Sequence, residues 1–119
     1  MADDNRKFVI QEHRSGADVH WDLMLEQTDV LETYRLDKGP GQLLAETANA
    51  EKIFDHPKKF LTYQGPVNKG AGRVEIVEAG TYKITNNQNG QLELSLDGRI
   101  LKGDFTLTLV EGERWLLFS

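Results

Sequence analysis

An all-β fold closed as a small antiparallel β-barrel, with little helix, is the architecture this sequence predicts, and three observations predict it. From Lys7 onward apolar and polar residues alternate in short runs, the period of half-buried strands. The runs are divided by clusters such as Asn86-Asn87-Gln88-Asn89-Gly90 and Asp97-Gly98, whose residues tolerate the positive φ of tight turns. Helix-compatible composition is confined to Leu43–Ala50, where Thr47, Asn49 and the lack of an apolar stripe argue for a loop or a single turn. With this many short strands in 119 residues, closure into a barrel removes the edges that an open sheet would expose.

In order along the chain, residues 1–6 are polar and read as a disordered tail ahead of one domain over residues 7–119. Strands are predicted at Lys7–His13, Val19–Glu26, Val30–Leu36, Phe60–Tyr63, Arg73–Val77, Gly80–Thr85, Leu92–Leu96, Phe105–Val110 and Arg114–Phe118. The last four form a meander, because short turn sequences separate them. Trp21 and the closing Trp115-Leu116-Leu117-Phe118 run read as core and as the barrel's last strand.

Composition narrows the function. Fourteen Lys and Arg against nineteen Asp and Glu give a net charge of -5, which does not support a sequence-independent grip on nucleic acid through overall charge. The absence of cysteine removes disulfides, thiolate zinc sites and cysteine nucleophiles together. No apolar run approaches the ~20 residues of a membrane span, and the first residues lack an apolar signal segment, so a soluble cytoplasmic monomer is the expectation.

Chemistry concentrates in the first two strands. Along the second strand His20, Asp22 and Met24 share one face, and Val19, Trp21, Leu23 and Leu25 share the other. If the two strands form a hairpin with His13 opposite His20, then Gln11 falls opposite Asp22 and Val9 opposite Met24, while Ile10 meets Leu23 and Phe8 meets Leu25. One register therefore satisfies both faces. It gathers His13, His20 and Asp22, two imidazoles and a carboxylate, the donor set of a divalent-metal site with open positions, and places Gln11 where it can orient the carboxylate. The plainer reading is a solvated polar sheet face. Imidazole and carboxylate suit manganese, zinc, iron or a similar ion, so the ligands alone do not name the metal.

Other polar clusters carry weaker signals. Lys38, in the turn Asp37-Lys38-Gly39-Pro40, can present its ammonium to a phosphate, and is equally an ordinary surface lysine. His56, in Asp55-His56-Pro57, can donate a hydrogen bond to a phosphate or a proton to a leaving oxygen; a loop histidine beside proline is also commonplace. Lys58 and Lys59 form a small basic pair beside it, available for phosphate or nucleic-acid contacts.

The ordered set Phe8-Val9-Ile10-Gln11-Glu12-His13, His20-Trp21-Asp22-Leu23-Met24-Leu25-Glu26, Asp37-Lys38-Gly39-Pro40, Asp55-His56-Pro57, Gly70-Ala71-Gly72, Ala79-Gly80-Thr81-Tyr82 and Trp115-Leu116-Leu117 resembles the 3′-phosphoesterase domain of bacterial DNA ligase D. The resemblance runs from about Lys7 to Phe118. It implies a small β-barrel that uses manganese to remove a 3′-terminal ribonucleoside and then the 3′-phosphate from DNA ends in non-homologous end joining. By the same resemblance, His13, His20 and Asp22 fall on metal-ligand positions and Gln11 on a supporting glutamine. His56 falls on the histidine at the scissile phosphate and Lys38 on the turn lysine, with Asp55 in support.

Departures from the family pattern matter as much. The phosphate-clamping arginine of the second strand is Met24 here, the tyrosine after His-Pro is Phe60, and the acidic residue before Asp55 is Phe54. The gap between the first two histidines is one residue longer. Three expectations follow: a metal-dependent phosphoesterase on DNA or RNA 3′ ends, weakened by the depleted clamp; a non-catalytic metal-binding module recognising a nucleic-acid end or a repair ligase or polymerase partner; or an enzyme for another phosphodiester, with Lys58 or Lys59 replacing the arginine.

Overall fold

The computed structural model describes residues 6–119. Of the tail expected over residues 1–6, residues 1–5 lie outside the described part, and Arg6 already belongs to the first strand. The strands are β1 (Arg6–Ser15), β2 (Asp18–Glu26), β3 (Val30–Leu36), β4 (Ala48–Pro57), β5 (Gly65–Val67), β6 (Gly72–Gln88), β7 (Gln91–Gly98), β8 (Lys102–Glu111) and β9 (Arg114–Phe118). A four-residue helix, α1 (Pro40–Leu43), and two short 3₁₀ turns, Lys58–Leu61 and Asn68–Gly70, complete the chain.

All strand pairings are antiparallel, in the order β1-β2-β3-β4-β9-β8-β7-β6-β5, and an added β1–β6 pairing closes the ring. Closure is possible because β6 is 17 residues long. Its first half pairs with β1 and its second half with β7. The two strands predicted at Arg73–Val77 and Gly80–Thr85 are therefore one. Val77 is the extra residue of a bulge in the β1–β6 ladder, which bends the long strand where it changes partner.

Inside the ring, Phe8, Ile10, Leu23, Leu25, Tyr34, Leu36, Leu94, Phe105, Leu107 and Leu117 form the main core. Glu78 is also buried, its carboxylate accepting the backbone N–H groups of Ala79, Arg99, Ile100 and Leu101 at 3.0, 2.9, 2.8 and 2.6 Å. A second, smaller cluster lies on the outer face of the same strands. Val9, Met24 and Leu31 are covered there by Phe60, Leu61, Ile76 and Ala79.

Two further predicted elements need correction. Phe60–Tyr63 is no strand: it follows and partly occupies the Lys58–Leu61 turn, and the carbonyls of Phe60 and Tyr63 accept from the Gln11 side chain, at 2.9 and 3.1 Å. The segment expected as loop over Leu43–Ala50 ends α1 and then enters β4, since Ala48 and Ala50 alternate inward and pair with Leu117 and Trp115. No described helix is long and apolar enough to cross a membrane.

Candidate metal centre and anion cleft

The β1–β2 hairpin adopts the register that the sequence pattern dictates, with His13 opposite His20, Gln11 opposite Asp22 and Val9 opposite Met24. Apolar residues on the inner face fix that register, because a slip of one residue would turn Phe8, Ile10, Leu23 and Leu25 out of the core. The outer face receives what remains. One ligand atom each from His13, His20 and Asp22 lies within 4.8 Å of the others, the two imidazole centroids being 4.6 Å apart and edge to face.

His13 Nε2, His20 Nε2 and Asp22 Oδ1 are all buried and without a hydrogen-bond partner among the described residues. Buried polar atoms are ordinarily satisfied, so a cluster of three unsatisfied ones, each a lone-pair donor, fits a cation. His20 Nε2 lies 3.5 Å from Asp22 Oδ1, beyond ordinary hydrogen-bond length. Gly72 flanks the cluster: a Cβ there would stand 2.8 Å from His13 Nε2, so glycine keeps that nitrogen clear. These residues fit a divalent ion of the kind their chemistry suggests.

Burial sets the protonation states. Desolvation holds both imidazoles below the ordinary histidine value; His13 is lowered further by His20 and Arg35, and His20 by Arg35. Both are therefore neutral near pH 7 and present lone pairs. Asp22, 3% exposed, is pushed up by desolvation, against the opposing charge of Arg35.

His56 reaches the same face through an irregularity. Leu31 pairs with His56 and Thr33 with Ile53, so Phe54 and Asp55 together oppose Glu32 in a bulge. That extra residue shifts the alternation of β4 and brings His56 onto the face of Asp22, while Phe54 is 73% exposed. His56 Nδ1 lies 2.9 Å from Thr33 Oγ1 and 3.1 Å from the Phe54 carbonyl. A carbonyl only accepts, so Nδ1 carries the proton and Nε2 is the nitrogen free for a ligand. Stacking of Phe54 on the ring at 4.7 Å and edge contact with Phe60 hold the imidazole in place. Desolvation lowers His56 too, with Asp22 acting against it.

His13, Asp22 and His56 line a cleft of about 260 Å³, whose walls also include Gln11, Met24, Arg35, Phe60 and Asn68, while His20 borders the neighbouring cleft. Gln11, expected to orient Asp22, instead donates to the two carbonyls of the covering segment, so it fixes the roof rather than the ligand. Lys38 lies 3.8 Å from Asp37, Lys58 is bonded to Glu26 at 2.9 Å, and Lys59 sits over the Phe60 ring. None of the three lines the cleft, and Asp55 is exposed outside it. The cation that does line it escaped the sequence reading. Arg35 of β3 pairs directly across from Asp22, its Nε 3.7 Å from Asp22 Oδ1.

Comparison with known proteins identifies the family of the chain. The family model of the DNA Ligase D 3'-phosphoesterase domain matches residues 11–109. The multifunctional non-homologous end joining protein LigD of Mycolicibacterium smegmatis is 31% identical over 126 residues, covering 94% of this chain and 16% of its own length. LigD of Mycobacterium tuberculosis is 31% identical over 120 residues, 95% of this chain and 16% of its own. LigD of Pseudomonas aeruginosa is 27% identical over 109 residues, 85% and 13% respectively. The chain thus spans less than a fifth of the length of these relatives. With the match running through the hairpin, His56 and the closing half of the ring, this chain belongs to the DNA ligase D 3′-phosphoesterase domain family.

Proposed function

We propose that this chain is a divalent-metal-dependent phosphoesterase acting on the 3′ ends of DNA or RNA, removing a 3′-phosphate or a 3′-ribonucleoside in the repair of DNA ends by non-homologous end joining. One observation carries the reading: three unsatisfied buried lone-pair donors, from His13, His20 and Asp22, gather beside a cleft that His13, Asp22 and His56 line together. Manganese is the ion we assign to the site, by kinship with the family, and zinc is the alternative that the donor set admits.

When bound, the ion supplies Lewis-acid polarisation of a phosphoryl oxygen. The remaining work falls to the chain. Hydrolysis of a 3′-phosphate forms a bond from a water oxygen to phosphorus and breaks the bond to O3′, which must leave with a proton. His56, with Nδ1–H anchored by Thr33 and Phe54, presents Nε2 to that phosphate; when protonated it donates to the leaving oxygen. Gln11 holds the roof over the site, which limits access of bulk water.

The test is turnover of oligonucleotides ending in a 3′-phosphate or a 3′-ribonucleoside by manganese-loaded protein, with His20→Ala as the inactive control. No product from any DNA or RNA end would end the reading. A second reading is a non-catalytic module that recognises nucleic-acid ends or a repair ligase or polymerase. Two observations favour it: buried Met24 offers no charge to phosphate, and Phe60 offers no hydroxyl. End binding that persists in His20→Ala without turnover in the parent would select it.

A further inference from the structure

We propose that Arg35 is the phosphate-binding cation of this site, supplied from β3 across the strand pair, and that it takes a terminal phosphate monoester in its dianionic form. The proposal rests on the phosphoesterase reading for its substrate but stands on its own geometry. Arg35 Nε is buried and without a hydrogen-bond partner among the described residues, although the side chain as a whole is 41% exposed. A guanidinium half in water with one donor turned inward and unsatisfied is a site awaiting an acceptor.

The charges favour an anion there. Among the described residues Asp22 is the carboxylate within ion-pairing distance of Arg35, at 3.7 Å and not hydrogen-bonded to it. Once Asp22 is committed to a divalent ion, no described carboxylate ion-pairs with the guanidinium: Glu51, opposite Arg35 on β4, makes no ion pair with it. With the imidazoles neutral, the ion, Asp22 and Arg35 leave a net charge of about plus two, which matches a phosphate monoester carrying roughly −1.5 to −2 at neutral pH. The planar fork of arginine suits two phosphate oxygens at once.

Position supports the same role. Arg35 lines both the metal cleft and a larger neighbouring cleft of about 670 Å³ bordered by Asn49, Arg114 and Trp115. A phosphate gripped on that shared wall has the ion on one side and room for the rest of the strand on the other. Lys58 is committed elsewhere: its ammonium donates to Glu26 at 2.9 Å and it does not line the metal cleft.

Binding of inorganic phosphate to the manganese-loaded protein, measured by calorimetry, tests this directly, alongside manganese affinity and 3′-phosphate turnover for Arg35→Ala and Arg35→Lys. The expected result is phosphate affinity roughly 10- to 100-fold weaker in Arg35→Ala, partial recovery in Arg35→Lys, and unchanged manganese affinity in both. Unchanged phosphate affinity in Arg35→Ala overturns the proposal, as does loss of manganese, which would make Arg35 a positioning residue for Asp22. Wild-type protein that binds phosphate through Arg35 yet turns over no 3′ end refutes the phosphoesterase reading and leaves the proposal standing. Turnover with an Arg35-independent phosphate affinity does the reverse.

Discussion

Met24→Arg restores the side chain that the family pattern places on β2, and the structure says it will not restore a clamp. Met24 is 1% exposed, in an apolar cluster with Val9 and Leu31, under Phe60, Leu61, Ile76 and Ala79. Removing its thioether from that cluster forfeits about 1.5–3 kcal/mol of burial, and a guanidinium buried without a partner costs several kcal/mol more. The carboxylates two residues away on the same face are Asp22, already beside Arg35, and Glu26, already bonded to Lys58, so relief would draw on the metal ligand or on an existing ion pair. A net loss of about 3–5 kcal/mol is the expected outcome, a large part of the 5–15 kcal/mol of a typical domain. Urea unfolding followed by the fluorescence of Trp21 and Trp115 reads this as a lower midpoint at constant m. Met24→Leu, which keeps volume and polarity, is the control and should lose less than ~1.5 kcal/mol. A Met24→Arg protein as stable as the parent and binding phosphate more tightly would show that the roof opens to solvent, and the case for Arg35 as the replacement would fail with it.

The remaining predictions address the ligands and their supports. Gly72→Ala puts a Cβ 2.8 Å from His13 Nε2, so manganese affinity should fall by about tenfold or more while stability changes little; metal titration by NMR checks it, and undiminished affinity would mean the ring moves freely. Gln11→Ala strands the carbonyls of Phe60 and Tyr63 and should cost about 2–4 kcal/mol and loosen the roof, seen as faster amide exchange at residues 60–64; equal protection in both proteins would refute the role. Glu78→Gln sets an amide against backbone donors and should cost about 3 kcal/mol, measured by denaturation, with metal affinity unaffected because Glu78 is engaged by the Arg99–Leu101 backbone and does not line the metal cleft. For pH, His13, His20 and His56 lie below 6.5 in the fold, so the unfolded chain binds more protons and metal-free stability should drop as pH falls from about 6.5. Asp22, raised above 3.8, works in the opposite sense and adds stability as pH falls through its folded pKa. A flat melting temperature from pH 7 to 5, or one that rises, would contradict the balance drawn here.

How far the site could be read in the sequence depended on how local each piece is. The ligand hairpin was legible because strict apolar alternation at Phe8, Ile10, Leu23 and Leu25 leaves a single register, and that register alone sets His13 beside His20. His56 was legible only through family resemblance, since period-2 reasoning along β4 fails at the Phe54–Asp55 bulge that re-aims it. The same bulge, with polar Asn49, Glu51 and Lys52 along the strand, hides β4 from any alternation test. Phe60–Tyr63 misled for a different reason: aromatic and β-branched content reads as strand, yet these residues cover a sheet face, and their backbone is satisfied by a side chain 49 residues away. Arg35 was within reach. Glu26 and Leu31 flank a short turn, closed by Gln27 N–H on the Val30 carbonyl. Counting back four residues from Glu26 and forward four from Leu31 sets Asp22 against Arg35, the same hairpin arithmetic that set His13 against His20. Carried one strand further, that arithmetic turns a missing arginine at position 24 into a displaced one: position 24 borders the cleft but is 1% exposed and packed under Phe60 and Leu61, and position 35 is where a cation on this face keeps contact with water.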